Sequence, residues 1–530
     1  MRQAGARTRQ LLSNAAVAAL TLGLGLTAGA PLAKEEIILL PEDDGTTGQI
    51  FVMAGGDTVE VTEERTKVTL HARFLQPFID RNVSQAAIQS AYGSILGIIV
   101  GPDNPLDTLP EIVELTLATH PAFMEKVHQR QELDYYTRES YSSFTPRINA
   151  RGEYGREWTR DPTTYALGDN DFVNLQRREI TVELRQMLFD GGSSFSEYDR
   201  RVADADANAY QLQALAEQLA SQVADVYMNL LRDNDLFELA NQNLARLQEI
   251  EGRIGARSES GAGNQSDLDQ SVARVAAAQS AVINREQALR DSIVRYVTLV
   301  GYPPVKVLLR PEATKDGLPA TLDEAVAHAI EHHPSIIATE ADLEATRQQI
   351  RNARSLNWPR LELLIAKRYG DDLDGVEGYD EDFMVMFNLN YNLYNGNADQ
   401  AKIRRSLARQ QQARELREDA TRDVTEAVRQ AWNGFTQIER RLAALERHAG
   451  STVKARDAYD EQFKVGDRTL LDILDSENEL FQAQSNLIEA RRDYATSIYR
   501  LRASMGTLVE HFAATIPREA QPTIQYARTP

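Results

Sequence analysis

The stretch "FNLNYNLYNG", Phe387 to Gly396, decides the fold. Phe387, Leu389, Tyr391 and Leu393 alternate with Asn388, Asn390 and Asn392. That period of two belongs to a strand with one apolar and one wet face. The strand ends in an Asn–Gly turn, and a proline-free run from about 398 to 464 follows. In that run Val424, Val428, Ala431, Trp432, Phe435, Ile438, Leu442 and Leu445 recur at spacings of three and four, as on one stripe of a helix. At 1.5 Å per residue such a helix reaches about 100 Å, far too long for a globular domain.

The same grammar occurs twice. "TLPEIVELTLATHP" (108–121) matches "TLDEAVAHAIEHHP" (321–334), and Pro146–Arg147 matches Pro359–Arg360 in the same register. "LFDGG" from Leu188 matches "LYNGN" from Leu393, and this second register pairs Gly191 with Gly396, Gly261 with Gly466, Asp267 with Asp472, and Gly301 with Gly506. A gapless register over more than a hundred residues marks a duplicated unit. Each copy is expected to hold an opening helix (about 106–143 and 320–356), two strands, and a long helical hairpin. "RINARGEYG" and "ITVELRQML" alternate like the opening stretch. The repeats run 106–305 and 318–510, with strands at about 147–158 and 176–188, then 360–369 and 383–394. The hairpin tips fall at about 258–266 and 463–470. The fold class is mainly α with a small β part. Four strands cannot close a barrel, which needs about eight, so a membrane barrel would be shared among several chains. An ordinary soluble hairpin is the competing reading.

Composition narrows the function. The chain has 530 residues and a formal charge of −20, which argues against a nucleic-acid binder. It has no cysteine, so disulfides, thiolate metal sites and a cysteine-linked lipid anchor are excluded. Its histidines show no metal spacing, and His332–His333 before Pro334 fits a capping or surface role. No cofactor, metal site or catalytic constellation is expected, and the chain reads as non-enzymatic. Residues 1–33, with Arg2, Arg7 and Arg9 before an apolar stretch and small residues, have the layout of a signal peptide. Residues 34–105 read as a strand-rich extension ending in a linker, and 511–530 as a flexible tail.

At the second tip, "FKVGDRTLLDILDSENEL" (463–480) breaks at Gly466 and then places Asp472 and Asp475 on one helical face. In a single chain, a solvated surface explains this acidic pair well enough.

The order of elements, with "LFDGG", "LYNGN" and "VGDRTLLDILDSE" in it, resembles the TolC family of outer-membrane channel proteins over about 106–510. The resemblance implies a homotrimer whose twelve strands form one β-barrel in the outer membrane, while the duplicated hairpins form a periplasmic α-barrel. It implies contact with outer-membrane lipid, a periplasmic adaptor (membrane-fusion) protein, an inner-membrane transporter of ABC type, and an exported substrate in transit. "YNLYNGNADQAKIRRSLA" and "GAGNQSDLDQSVARVAAAQS" are similar to members serving type I secretion of large adhesins. Small-molecule efflux is the alternative cargo class, and a soluble periplasmic coiled-coil scaffold or adaptor the alternative of another kind. The resemblance also places Asp472 and Asp475 in the closed tunnel mouth and makes Arg468, with Ser266 and Asp267, a gate latch. Val465, Gly466, Gly261 and Gly263 match adaptor-docking tips. Phe463 stands where some relatives have tyrosine, and Asp269 adds a carboxylate.

Overall fold

The computed structural model describes residues 67–69, 108–160, 162, 172–261, 263–304 and 307–526. The leader and nearly all of the 34–105 extension therefore lie outside the described residues. The chain divides into two compact units, and these cut across the sequence repeats. One unit gathers the strand pairs of both repeats (142–188 and 361–388), and the other gathers the helices.

The strand unit is built on a four-stranded sheet in the order β2-β5-β7-β8. Its strands are β2 (Arg147–Tyr154), β5 (Arg178–Phe189), β7 (Arg360–Leu373) and β8 (Val376–Asn390). Short strands β3 (Glu157–Thr159) and β4 (Val173–Leu175) pair beyond β2 and β5. The second pair is longer than the alternation alone suggested. Asp374 (φ 52°) and Gly375 (φ 76°) form a two-residue turn, so pairing runs up to it from both sides. The quoted opening stretch is strand only to Asn390; Tyr391 to Tyr394 lie beyond β8.

Register sorts the two faces. β2 and β5 are antiparallel with Ile148 opposite Leu184 and Ala150 opposite Val182, while Asn149 faces Glu183 and Arg151 faces Thr181. One face thus carries the apolar positions, and Ile148, Ile180, Phe383, Val385, Phe387 and Leu389 stand exposed on the sheet. Toward the β7–β8 turn, Tyr369 and Tyr379 approach with ring centroids 6.5 Å apart, and Lys367 pairs with Glu381.

In the helical unit, the two expected opening helices are each broken in two. They are α1 (Leu109–Thr119) with α2 (Pro121–Tyr141), and α5 (Leu322–His332) with α6 (Pro334–Ser355). The break falls at a His–Pro step in both repeats. A residue before proline is pushed out of the helical region, and His120 (φ −68°, ψ 124°) and His333 (φ −66°, ψ 124°) are extended. His333 Nδ1 accepts the Ser335 N–H at 3.2 Å, so the capping role falls to this histidine. Burial lowers its pKa to about 4, so the ring stays neutral and able to accept.

The long hairpins are α3 (Ser193–Glu259) with α4 (Gln265–Val300), and α7 (Ala398–Lys464) with α8 (Leu470–Met505). The strand-to-helix words work through backbone shape. Gly191 (φ 68°), Gly192 (φ 85°), Gly396 (φ 59°) and Asn397 (φ 65°) all adopt the left-handed region. Asp190 then accepts the N–H groups of Gly192 and Ser194 at 3.1 and 2.8 Å. α3 packs against α2, α4, α6 and α8, and α7 against α6 and α8. Between the repeats, β6 (Val307–Leu309) pairs antiparallel with β1 (Lys67–Thr69) from the N-terminal extension.

The chain end is not a flexible tail through 526. A short helix, α9 (Leu508–His511), leads into a segment held along α3. Buried Glu217 accepts the N–H groups of Leu508 and Val509 at 2.9 and 3.1 Å. Fully buried Asp206 accepts those of Thr523 and Ile524 at 2.6 and 3.0 Å. Backbone donors leaving water need partners, and these two carboxylates supply them.

Candidate functional site

Both hairpins turn on a glycine in the left-handed region, Gly261 at φ 73° and Gly466 at φ 88°. A Cβ at either would meet open space, so backbone angle, not crowding, asks for glycine there. Val465 is the most exposed side chain of the second tip among the large hydrophobics, at 74%. Gly263 is different: its φ is not positive, and a Cβ would sit 3.1 Å from the Ser258 nitrogen.

Asp472 is the third residue of α8 and closes a capping box with Thr469. It accepts the Thr469 N–H at 3.0 Å and hydroxyl at 2.8 Å, and its own N–H donates to that hydroxyl at 3.3 Å. The Thr469 N–H, then its hydroxyl, then Arg468 hold this carboxyl below its ordinary value. Arg468 lies 3.8 Å from Asp472, donates to Gln462 at 3.0 Å, and stacks over Tyr459 with its guanidinium carbon 4.3 Å from the ring centre. Among the described residues, no bond joins Arg468 to Ser266 or Asp267. The expected latch is therefore not made within the chain, because Tyr459 and Gln462 hold the guanidinium on its own hairpin. Phe463 packs into an apolar cluster with Leu247, Ile254, Leu470 and Ile473, and Arg257 lies over its ring at 5.9 Å. Asp269 accepts from Gln265 at 3.0 Å on its own helix.

The residues missed by sequence reasoning tie the two hairpins together. Arg274 on α4 lies 3.2 Å from Asp475 on α8. Further from the tip along α3, Arg246 reaches Glu477 at 3.0 Å and Asp460 at 2.9 Å. Arg456 approaches Glu477 at 3.3 Å from the other side, and Arg253 approaches Asp460 at 3.5 Å. Glu477 is only 4% exposed, so it is a buried carboxylate between two guanidiniums. Burial alone would raise Asp460, but Lys464 and Arg246 outweigh it and hold the carboxyl low. Burial likewise opposes the Arg246 cation, yet Glu477 and Glu249 secure it.

Comparison with known proteins gives the family. The family model described as outer membrane efflux protein matches residues 112–302 and 325–507, one stretch per repeat. The chain belongs to the outer membrane efflux protein family. It is 25% identical over 415 residues to outer membrane protein TolC of Vibrio cholerae, covering 76% of this chain and 92% of that one. It is 24% identical over 404 residues to alkaline protease secretion protein AprF of Pseudomonas aeruginosa, covering 75% and 84%. The solved outer membrane protein VceC of Vibrio cholerae has the same fold, with a TM-score of 0.63 at 14% identity over 75% of this chain and 96% of that one.

Membership of this family makes the chain an outer-membrane channel for efflux or secretion and not an enzyme. The sheet's exposed apolar face has the alternation by which a membrane strand separates hydrocarbon from lumen. No described helix is long and apolar enough to cross a membrane. The resemblance drawn from the strand-to-helix words and the tip is borne out at the level of family, fold class and outer-membrane location.

Proposed function

We propose that three copies close one barrel and act as the exit duct of a type I system secreting a large protein such as an adhesin. The observation that carries the trimeric barrel is the sheet itself. Among the described residues β2 and β8 each have a neighbour on one side only. β8 offers fifteen residues of open edge beside an exposed apolar face. Such an edge is an aggregation hazard unless paired, and four strands from each of three copies would pair every edge. Similarity to a protein named for alkaline protease secretion supports protein cargo. A periplasmic adaptor would dock at Val465, Gly466, Gly261 and Gly263, and an ABC transporter would supply the energy.

In the same reading, Asp472 and Asp475 line the mouth, and Arg468 leaves Tyr459 and Gln462 to bond Ser266 and Asp267 of a neighbouring copy. Arg468→Gln should then raise single-channel conductance in planar bilayers, and unchanged conductance would sink the latch. Cargo is tested by deleting the gene. Loss of a large secreted protein from the culture medium, with drug susceptibility unchanged, is expected. The reverse pattern would make the channel a small-molecule efflux duct.

A further inference from the structure

We infer that Arg274 sets the charge of the tunnel mouth by neutralising Asp475 from the opposite hairpin. The inference rests on the reading that Asp472 and Asp475 line that mouth. It concerns a residue with no counterpart in the repeat: the position matching Arg274 in the second copy is Glu479.

The two aspartates of α8 are not alike. Asp472 spends one oxygen on the Thr469 N–H and hydroxyl, while its other oxygen faces Arg468 at 3.8 Å. Asp475 is 61% exposed and makes one ion pair, to the Arg274 guanidinium at 3.2 Å. Its partner therefore comes from α4, not from its own helix. Hydrogen bonding adds little to that guanidinium's options, since the same Asp475 oxygen is its acceptor. Within the chain each acidic group thus has one arginine within 4 Å, and the arginine beside Asp475 is not the one the proposed latch draws away. A ring of three such sites has each Asp475 neutralised, whereas the sequence alone suggests a doubly acidic ring.

Such a pair contributes little to stability because it is exposed. Its effect on a passing ion is another matter, since charge at a constriction acts within a Debye length of about 8–10 Å. Removing Arg274 uncovers one negative charge per copy, three around the ring. A trivalent cation would feel all three, so its half-blocking concentration should fall by about tenfold or more.

The test uses full-length protein in planar bilayers, with hexaamminecobalt(III) as the blocking cation and a KCl gradient for reversal potential. Arg274→Gln should strengthen block about tenfold and shift the reversal potential toward cation selectivity. Asp475→Asn should do the opposite, because it leaves three uncompensated guanidiniums. The double variant should return close to the parent, and Arg274→Lys should stay close to it. If Asp472→Asn and Asp475→Asn alter block while Arg274→Gln does not, Arg274 is no counter-charge and the inference falls while the mouth reading stands. If none of the three alters block or reversal potential, the mouth reading falls and the inference with it.

Discussion

Glu477→Gln tests the tie between the hairpins most directly. The carboxylate is 4% exposed, with Arg246 at 3.0 Å and Arg456 at 3.3 Å. Removing one member of a fully buried ion pair costs about 3–5 kcal/mol, because the charge left behind has no partner. Here the two arginines keep 23% and 24% of their side-chain surface in water, and Arg246 retains Asp460 at 2.9 Å. Both facts reduce the penalty, to about 2 kcal/mol. A loss of that size raises the local opening equilibrium by roughly 30-fold, at tenfold per 1.4 kcal/mol. Hydrogen exchange followed by mass spectrometry should show it as faster exchange at the start of α8 and the facing end of α3, with the distant half of α3 unchanged. A triple replacement of Arg246, Glu477 and Arg456 by methionine should recover most of the protection, since apolar substitution of a whole buried cluster is often neutral. Exchange in the Glu477→Gln variant within about threefold of the parent, on that same scale, would refute the clasp.

Three further outcomes are expected. Glu217 has its carboxyl pushed up to about 7 by burial, against the lowering pull of the Val509 and Leu508 N–H groups. Because that value lies above the unfolded one, its contribution is complete below about pH 4 and fades as pH rises through 7. Melting temperatures from pH 5 to 8 should fall with a slope that Glu217→Gln flattens. Gly191→Ala should cost more than the matching Gly396→Ala. Both force a side chain into the left-handed region at about 1–2 kcal/mol, but at Gly191 the Cβ would also meet Trp358 Cβ at 2.6 Å and the Ser355 carbonyl at 2.8 Å. Thermal unfolding of the two variants compares them. Asp206→Asn should weaken the hold on Thr523 and Ile524 and take one of two carboxylate partners from buried Arg130, which keeps Asp134, costing about 1–3 kcal/mol. Limited proteolysis should then release the C-terminal segment at lower protease concentration.

The sequence disclosed what depends on period and repetition. Alternation at Phe387, Leu389 and their counterparts gave the strands, and the recurrent Asp–Gly–Gly and Asn–Gly–Asn words gave the strand-to-helix turns. Two elements depart from the sequence expectation for local and for long-range reasons. Pro121 and Pro334 each sit inside a helical pattern, and the preceding histidine breaks it. The chain end looked flexible because its residues are polar and proline-flanked. What orders it is Asp206 and Glu217, roughly three hundred positions earlier. The cross-hairpin ties were hidden for a sharper reason. Comparison of the repeats reveals only what both copies share, and these ties join positions that differ. Where the second copy has Glu477 and Asp460, the first has Val272 and Gly255. Where the first has Arg246 and Arg253, the second has Ser451 and Ala458.

That asymmetry bears on how the channel opens. Two similar hairpins imply two similar seams, one joining α8 to α3 and its counterpart joining α4 to α7. Among the described residues, the chain makes the first seam extensively and has no packing of like extent for the second. A neighbouring copy would supply it, and repetition of one heterologous contact around an axis closes a ring. The two seams would then differ in strength near the tips. Between the two hairpins of one chain, Arg246 and Arg253 on α3 and Arg274 on α4 stand against Asp460 on α7 and Asp475 and Glu477 on α8. At the matching positions the seam between copies offers Ser451, Ala458 and Glu479 against Gly255, Gln270 and Val272, which form no ion pair. In the proposed latch, Arg468 would hold that seam through Ser266 and Asp267. Opening should therefore separate neighbouring copies before it separates the hairpins of a single chain. Arg468→Gln should raise conductance, whereas Glu477→Gln should loosen local exchange and leave the conductance of the resting channel nearly unchanged.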